Sequence, residues 1–137
     1  MGVLIDTSAL FAFLDRAAPE HEAVAALIEA EREPMVVSPF VLAELDHLVA
    51  KRLGDRQARA ALNEILAGAY DLASYAADDL RAALAVLERF ADRGLGLTDA
   101  SIVVLADRLG IKTVFTLDRR DFEGLVRSDG TPLTILP

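Results

Sequence analysis

Four acidic residues, Asp6, Glu44, Asp99 and Asp118, stand where a carboxylate can do chemistry. Asp6 ends the apolar run Val3-Leu4-Ile5 and opens Thr7-Ser8, and Asp118 ends Thr113-Val114-Phe115-Thr116-Leu117. Asp99 opens a helical pattern. Glu44 lies four residues after Phe40 and four before Leu48, so helical periodicity puts its carboxylate among apolar side chains. A buried carboxylate is costly unless it is paired or coordinates a metal. Each acid also has a plainer role open to it. Asp6 can cap the helix that follows, Asp99 can gain from a helix dipole, Asp118 precedes a short Arg119-Arg120-Asp121-Phe122 turn, and Glu44 can pair with an arginine of another helix. Taken together, four carboxylates with no histidine or thiol among them favour magnesium or manganese, which prefer oxygen ligands and keep several waters. One or two such ions can activate water and stabilise the leaving oxygen of an in-line phosphodiester displacement. That is nuclease chemistry.

Short β-branched runs alternating with longer helical patterns predict crossover units and a mostly parallel sheet. The expected strands are Val3 to Asp6, Met35 to Ser38, Tyr70 to Ser74, Thr113 to Leu117 and Leu133 to Leu136. Helices are expected from near Ser8, Glu20, Pro39, Asp55, Ala77 and Thr98, with a short turn of helix near Arg120. Pro19 and Pro39 suit first helical turns, and Gly54, Gly68, Gly94 and Gly110 suit helix stops. Such a sheet gathers its ligands at the carboxyl ends of its strands. Asp6 and Asp118 fall at that edge. Strand order alone does not put Asp99 there, because its helix feeds the Thr113 strand from the opposite end.

The 137 residues fit one domain, 1–137, long enough to bury roughly two thirds of the unfolded surface. Hydrophobic residues make up 53%, above the roughly 45 to 50 percent typical of globular chains. The excess on helices points to a buried partner surface, most economically a homodimer. With no cysteine and two histidines, disulfides, thiolate sites and an ordinary structural zinc site are excluded. No basic start with a signal core is present, and no apolar run approaches the roughly 20 residues that span a bilayer, so a soluble, cytoplasmic protein is expected. The net charge of −8 argues against general nucleic-acid affinity, but bound dications would neutralise several acids. Lys51, Arg52, Arg56 and Arg59 also form a local basic set, and at a cleft the local field outweighs the total.

The motifs Asp6-Thr7-Ser8-Ala9-Leu10, Ser38-Pro39-Phe40-Val41-Leu42-Ala43-Glu44-Leu45, Gly96-Leu97-Thr98-Asp99-Ala100-Ser101 and Thr116-Leu117-Asp118-Arg119-Arg120-Asp121-Phe122 together resemble the PIN-domain family. Within it the whole chain is similar to VapC-type toxin ribonucleases of bacterial toxin–antitoxin pairs. The resemblance implies an α/β/α three-layer sandwich with a central, mainly parallel sheet of four or five strands, and magnesium- or manganese-dependent endoribonuclease activity. It maps Asp6, Glu44, Asp99 and Asp118 onto the family's four metal-site acids, with Thr7, Ser8 and Thr116 as supporting hydroxyls and Asp121 as an alternative to Asp118. It also implies a homodimer and a cognate VapB-type antitoxin whose carboxyl-terminal segment fills the cleft. The stretch from Val37 to Leu48 and the loop from Leu117 to Phe122 look like the subgroup that cuts the sarcin–ricin loop of large-subunit ribosomal RNA. A toxin that cuts transfer RNA, or a non-toxin nuclease of RNA processing, is the alternative.

Lys51 and Arg52 are candidate backbone contacts to RNA, or a solvated face; Arg119 and Arg120 are candidate holders of the scissile strand, or partners of Asp121 and Glu123. His47, one turn after Glu44, is a candidate RNA contact or an ordinary half-exposed histidine, and His21 is expected to be solvated. Gly94-Leu95-Gly96 follows a helix and lacks the third glycine of a nucleotide loop, and no Walker lysine occurs. A receiver domain would want adjacent acids after the first strand, and a haloacid-dehalogenase phosphotransferase needs an Asp two positions after Asp6. That position is Ser8.

Overall fold

The computed structural model describes residues 2–137. Its strands are β1 (Val3–Ile5), β2 (Met35–Val37), β3 (Asp71–Leu72), β4 (Thr113–Phe115) and β5 (Thr134–Leu136). The helices are α1 (Thr7–Leu14), α2 (His21–Ala30), α3 (Pro39–Leu53), α4 (Asp55–Glu64), α5 (Ala77–Arg89), α6 (Leu97–Leu109) and α7 (Arg119–Phe122). All five strands join one sheet in the order β3-β2-β1-β4-β5, and every pairing is parallel. The register sets Val3 against both Met35 and Thr113, and Ile5 against Phe115.

Side chains alternate across a strand, yet Val3, Leu4 and Ile5 are all buried. Both faces of the sheet are therefore covered by helices, as parallel sheets require, and the three-layer α/β/α expectation holds. The strands are shorter than their apolar runs suggested. Asp6, Ser38 and Leu117 lie just past strand ends, where the chain must turn out of the sheet. Pro19 sits in the turn ahead of α2 rather than in its first turn, because the helix begins only at His21. Gly68, at φ +104°, lies inside a π turn that follows α4 and redirects the chain toward β3.

The chain builds outward from β1 through β2 to β3, then crosses back to place β4 on the other side of β1. The order reverses between β1 and β4. In open α/β sheets a crevice forms at the carboxyl ends of the strands at such a reversal, because the loops there leave in opposite directions. Asp6 follows β1 and Asp118 follows β4, one on each side of it. α6 is buried without a break from Ala100 to Ala106, as a helix that is apolar all round must be. This rigid helix holds Asp99 in its first turn.

Candidate active site

The turn after β1 and the loop after β4 are bolted together by two hydroxyls. Thr116 Oγ1 donates to Asp6 Oδ2 at 2.8 Å, and Ser8 Oγ lies 3.2 Å from the same oxygen and 3.1 Å from Thr116 Oγ1. Both hydroxyls also accept main-chain bonds from the β4 loop: Leu117 N donates to Ser8 at 2.9 Å and Asp118 N to Thr116 at 3.0 Å. Asp6 is only 2% exposed. It occupies the N-cap position of α1 but its carboxylate makes no capping bond, so the capping role open to it in the sequence is not the one it takes. Thr7, a candidate supporting hydroxyl, is buried with no hydrogen-bond partner among the described residues; it stands outside the network that Ser8 and Thr116 form.

Thr116→Val removes both the donor to Asp6 and the acceptor for the Asp118 amide. It is expected to cost about 1–3 kcal/mol of stability and to lower activity by about tenfold or more, as loss of an outer partner does at ion sites. Thr116→Ser should restore most of both. Thermal melts and single-turnover cleavage check this, and full activity in the valine variant would count against it.

Asp99 is half-buried at the start of α6, and its Oδ2 accepts from the Gly96 amide at 3.2 Å. The start of α3 is tied to it through buried serines. Ser38 caps α3 by accepting from Phe40 N, and its hydroxyl lies 2.7 Å from Ser101 Oγ on α6. Neither serine stands out in the sequence as part of the site, although Ser38 before Pro39 is a cap signal. Glu44 departs from expectation. It is exposed, because α3 buries Val41, Leu45 and Val49, and Glu44, one position before Leu45, lies off that face. No arginine pairs with it among the described residues.

The carboxylates share one electrostatic field. Burial pushes the Asp6 carboxyl up to about 6, against the bonds from the Thr116 hydroxyl and the Thr7 main-chain amide, with repulsion from Asp118 and Asp99 adding to it. Asp99 is also raised, first by burial and then by Asp121, Glu44 and Asp118, while the Gly96 amide opposes. Asp118 is exposed as a residue; partial desolvation of its carboxyl, then Asp121 and Glu44, raise it. Asp6 thus feels Asp118 and Asp99, and both Asp99 and Asp118 feel Asp121 and Glu44; among the described residues none of the five has a salt-bridge partner. Asp121 acts on both Asp99 and Asp118.

The donor set is all carboxylate oxygen, which suits a hard dication. Among the described residues no three His, Cys, Asp or Glu side chains are gathered tightly enough to hold one ion directly. A magnesium ion held by fewer protein ligands than that would keep part of its water shell.

The basic residues sort differently from expectation. Arg119 donates to the carbonyls of Ile135 and Pro137 at 3.1 and 2.7 Å and lies 3.8 Å from Glu123; it anchors α7 to β5 instead of standing free for a ligand. Arg120 is exposed, as is Lys51. Arg52 lies over the Phe11 ring, 5.9 Å from its centre, and lines a groove of about 430 Å³ with Ser8, Phe11, Leu48, Leu117 and Asp118. Of the basic candidates, Arg52 alone lines this groove, which reaches Asp118. His47 is exposed. His21 is not simply solvated: its Nδ1 donates to the Ala12 carbonyl at 2.8 Å and its ring stacks on Phe13.

A family model described as the PIN domain matches residues 3–126. Ribonuclease VapC26 of Mycobacterium tuberculosis (strain ATCC 25618 / H37Rv) is 43% identical over 135 residues, covering 98% of this chain and 100% of that protein. Among solved structures, the sarcin–ricin loop cleaving toxin VapC20 of Mycobacterium tuberculosis superposes with a TM-score of 0.81 at 24% identity, over 87% of this chain and 92% of that one. VapBC2 from Rickettsia felis, bound to a DNA fragment from its promoter, does so with a TM-score of 0.73 at 18% identity, over 100% of both chains. These two structures share the fold.

Proposed function

Because the chain belongs to the PIN domain family, we propose that Asp6, Glu44, Asp99 and Asp118, joined by Asp121, are the divalent-metal site at which it hydrolyses RNA phosphodiester bonds. The protein is a VapC-type ribonuclease, the toxin half of a VapBC pair. The observation that supports the site assignment is the mutual repulsion among five carboxylates from four segments, none of which has a salt-bridge partner among the described residues. Unrelieved, that repulsion is a cost to the fold. A bound dication offsets it.

The dication, when present, supplies Lewis-acid stabilisation of the charge that develops on the attacking and leaving oxygens. The chain does the rest. Thr116 and Ser8 fix Asp6 Oδ2, so one acid is held rigid at the floor of the site. Asp99 is fixed by its helix and the Gly96 amide, whereas exposed Glu44 can adjust to an incoming strand. Arg52, at the wall of the adjoining groove, gives the RNA backbone a positive contact where the acids would otherwise repel it. Lys51 and Arg120 are exposed and free to add to it.

Magnesium or manganese is the proposed ion, and a VapB-type antitoxin the partner that restrains the site. A homodimer is supported by leucines left in solvent, Leu66 at 65% and Leu84 at 56% exposure, which a second copy would cover. Among the described residues no helix is long and apolar enough to cross a membrane, and a cytoplasmic location is proposed. For the target, the motif likeness favours the sarcin–ricin loop over transfer RNA; mapping RNA ends after expression distinguishes them.

The direct test is cleavage of structured RNA by the purified protein with manganese. Cutting should appear with Mn²⁺ or Mg²⁺ and fall by at least about a hundredfold when EDTA removes the ion. Cutting that survives EDTA would remove the metal-site assignment.

A further inference from the structure

The element that presents Asp118 and Asp121 is too short to hold itself. α7 has four residues, and a lone helix of that length does not persist in water. Its leading end is fixed by Thr116 and Ser8, as described above. Its trailing end is held from outside. Arg93, in a 3-10 turn spanning Ala91–Arg93, donates through Nη2 to the carbonyls of Arg120, Asp121 and Glu123 at 2.9, 3.3 and 2.8 Å. A helix end leaves carbonyls without internal partners, and a guanidinium there also meets the negative end of the dipole.

From Arg93 the chain turns at Gly94, φ +67°, and enters α6, which carries Asp99 in its first turn. One side chain therefore ties the segment that presents Asp99 to the segment that presents Asp118 and Asp121. The bonds run to main-chain carbonyls, and Arg93 forms no ion pair among the described residues. This matters for the chemistry. An ion pair with Asp121 would quench the charge that a dication needs, whereas carbonyl bonds hold the backbone and leave the charge in place.

We propose that Arg93 is a positioning residue for the carboxylate cluster: by clamping the carbonyls of Arg120, Asp121 and Glu123 to the turn before α6, it fixes the distance of Asp118 and Asp121 from Asp99. The proposal rests on the metal-site assignment made above. Because Arg93 presents one nitrogen to three carbonyls, an ammonium, with three donors of its own, can replace it in part. A methionine keeps only the apolar stem.

The test uses the full chain and manganese alone as probe. By titration calorimetry, R93M should bind Mn²⁺ about tenfold more weakly than the wild type, with R93K recovering most of that loss. Single-turnover cleavage should show the loss in kcat, with KM for RNA unchanged. Amide exchange at Asp121 and Glu123, whose N–H groups bond to Asp118 and Arg119 carbonyls, should quicken in step with the affinity loss. In whichever variant keeps its fold by circular dichroism, R93M or otherwise R93K, faster exchange with unchanged Mn²⁺ affinity would overturn the proposal. The metal-site assignment fails separately, if Asp99→Asn binds Mn²⁺ as tightly as the wild type. If that variant binds weakly while R93M binds normally, only the role of Arg93 is lost.

Discussion

Asp99→Asn is expected to lower Mn²⁺-dependent RNA cleavage by about a thousandfold, because at the proposed ion site loss of one charge removes several kcal/mol of transition-state stabilisation. The site makes this substitution unusually clean. Asp99 accepts the Gly96 amide through one oxygen, and an asparagine carbonyl can accept the same bond, so the start of α6 keeps its backbone geometry. The seven residues that follow are buried and hold the helix in place. What disappears is the charge that meets Asp121, Glu44 and Asp118. Single-turnover cleavage of structured RNA measures the loss, and the far-ultraviolet dichroism should be unchanged. An asparagine variant that cuts as fast as the wild type would remove the cluster from the chemistry.

The second large effect is on stability, and it is opposite in direction. The Asp6 carboxyl is held at about 6 in the fold against an ordinary 3.8, chiefly because it is buried. A carboxyl whose folded pKa lies above its unfolded one favours the fold only while protonated. Its contribution is full below about pH 3.8 and is lost as pH rises through 6. At pH 7 without metal, ionised Asp6 therefore costs the fold roughly 3 kcal/mol. Asp6→Asn keeps the shape and an acceptor for Thr116 without the charge. In EDTA at pH 7 it should melt about 10 °C above the wild type, and the two should converge near pH 4. Saturating Mn²⁺ should narrow or reverse the gap, since only the wild type gains fully from binding. Melting curves across pH 4 to 7, with and without the ion, decide it. A variant less stable than the wild type at pH 7 in EDTA would show that Asp6 is not under the strain its burial implies. The same substitution should also abolish cutting, so stability and activity part company at one residue.

Much of this site is legible in the linear chain. The runs before Asp6 and Asp118 are β-branched and apolar, strong strand signals whose last residues must leave the sheet at its ligand-binding edge. Ser38-Pro39 marks the start of α3 and Gly96-Leu97-Thr98-Asp99 that of α6 by ordinary cap chemistry. Glu44 shows where periodicity misleads. Its neighbours Phe40 and Leu48 at helical spacing suggested a buried stripe, but both are only partly buried, and the deep stripe runs through Val41, Leu45 and Val49 instead. A helix can place apolar residues on more than one side, and only its packing partners choose which side goes inward.

The basic residues were harder still. Arg119 sits beside Asp118 in sequence and reads as a substrate contact, yet it donates to the carbonyls of Ile135 in β5 and of Pro137 just after it. Arg93 carries no signal in the sequence, although it bonds to three carbonyls more than 25 residues ahead. Long, flexible cationic side chains find their acceptors in space, and nothing in their local sequence says which carbonyls will be left open.

The chain by itself therefore determined which residues bear charge, which segments form strands and helices, and that acids follow two of those strands. Those outcomes follow from local sterics and hydrophobic period, which act over a few residues. Tertiary structure alone decided that α6 delivers Asp99 to the same crevice, that Asp121 sits beside Asp118, that Glu44 stays in water, and which hydroxyls and arginines hold the acids. The reason is physical: desolvation, repulsion between carboxylates and the pairing of stray carbonyls depend on distances through space, and those are fixed only when β1 and β4 meet across the reversal in strand order.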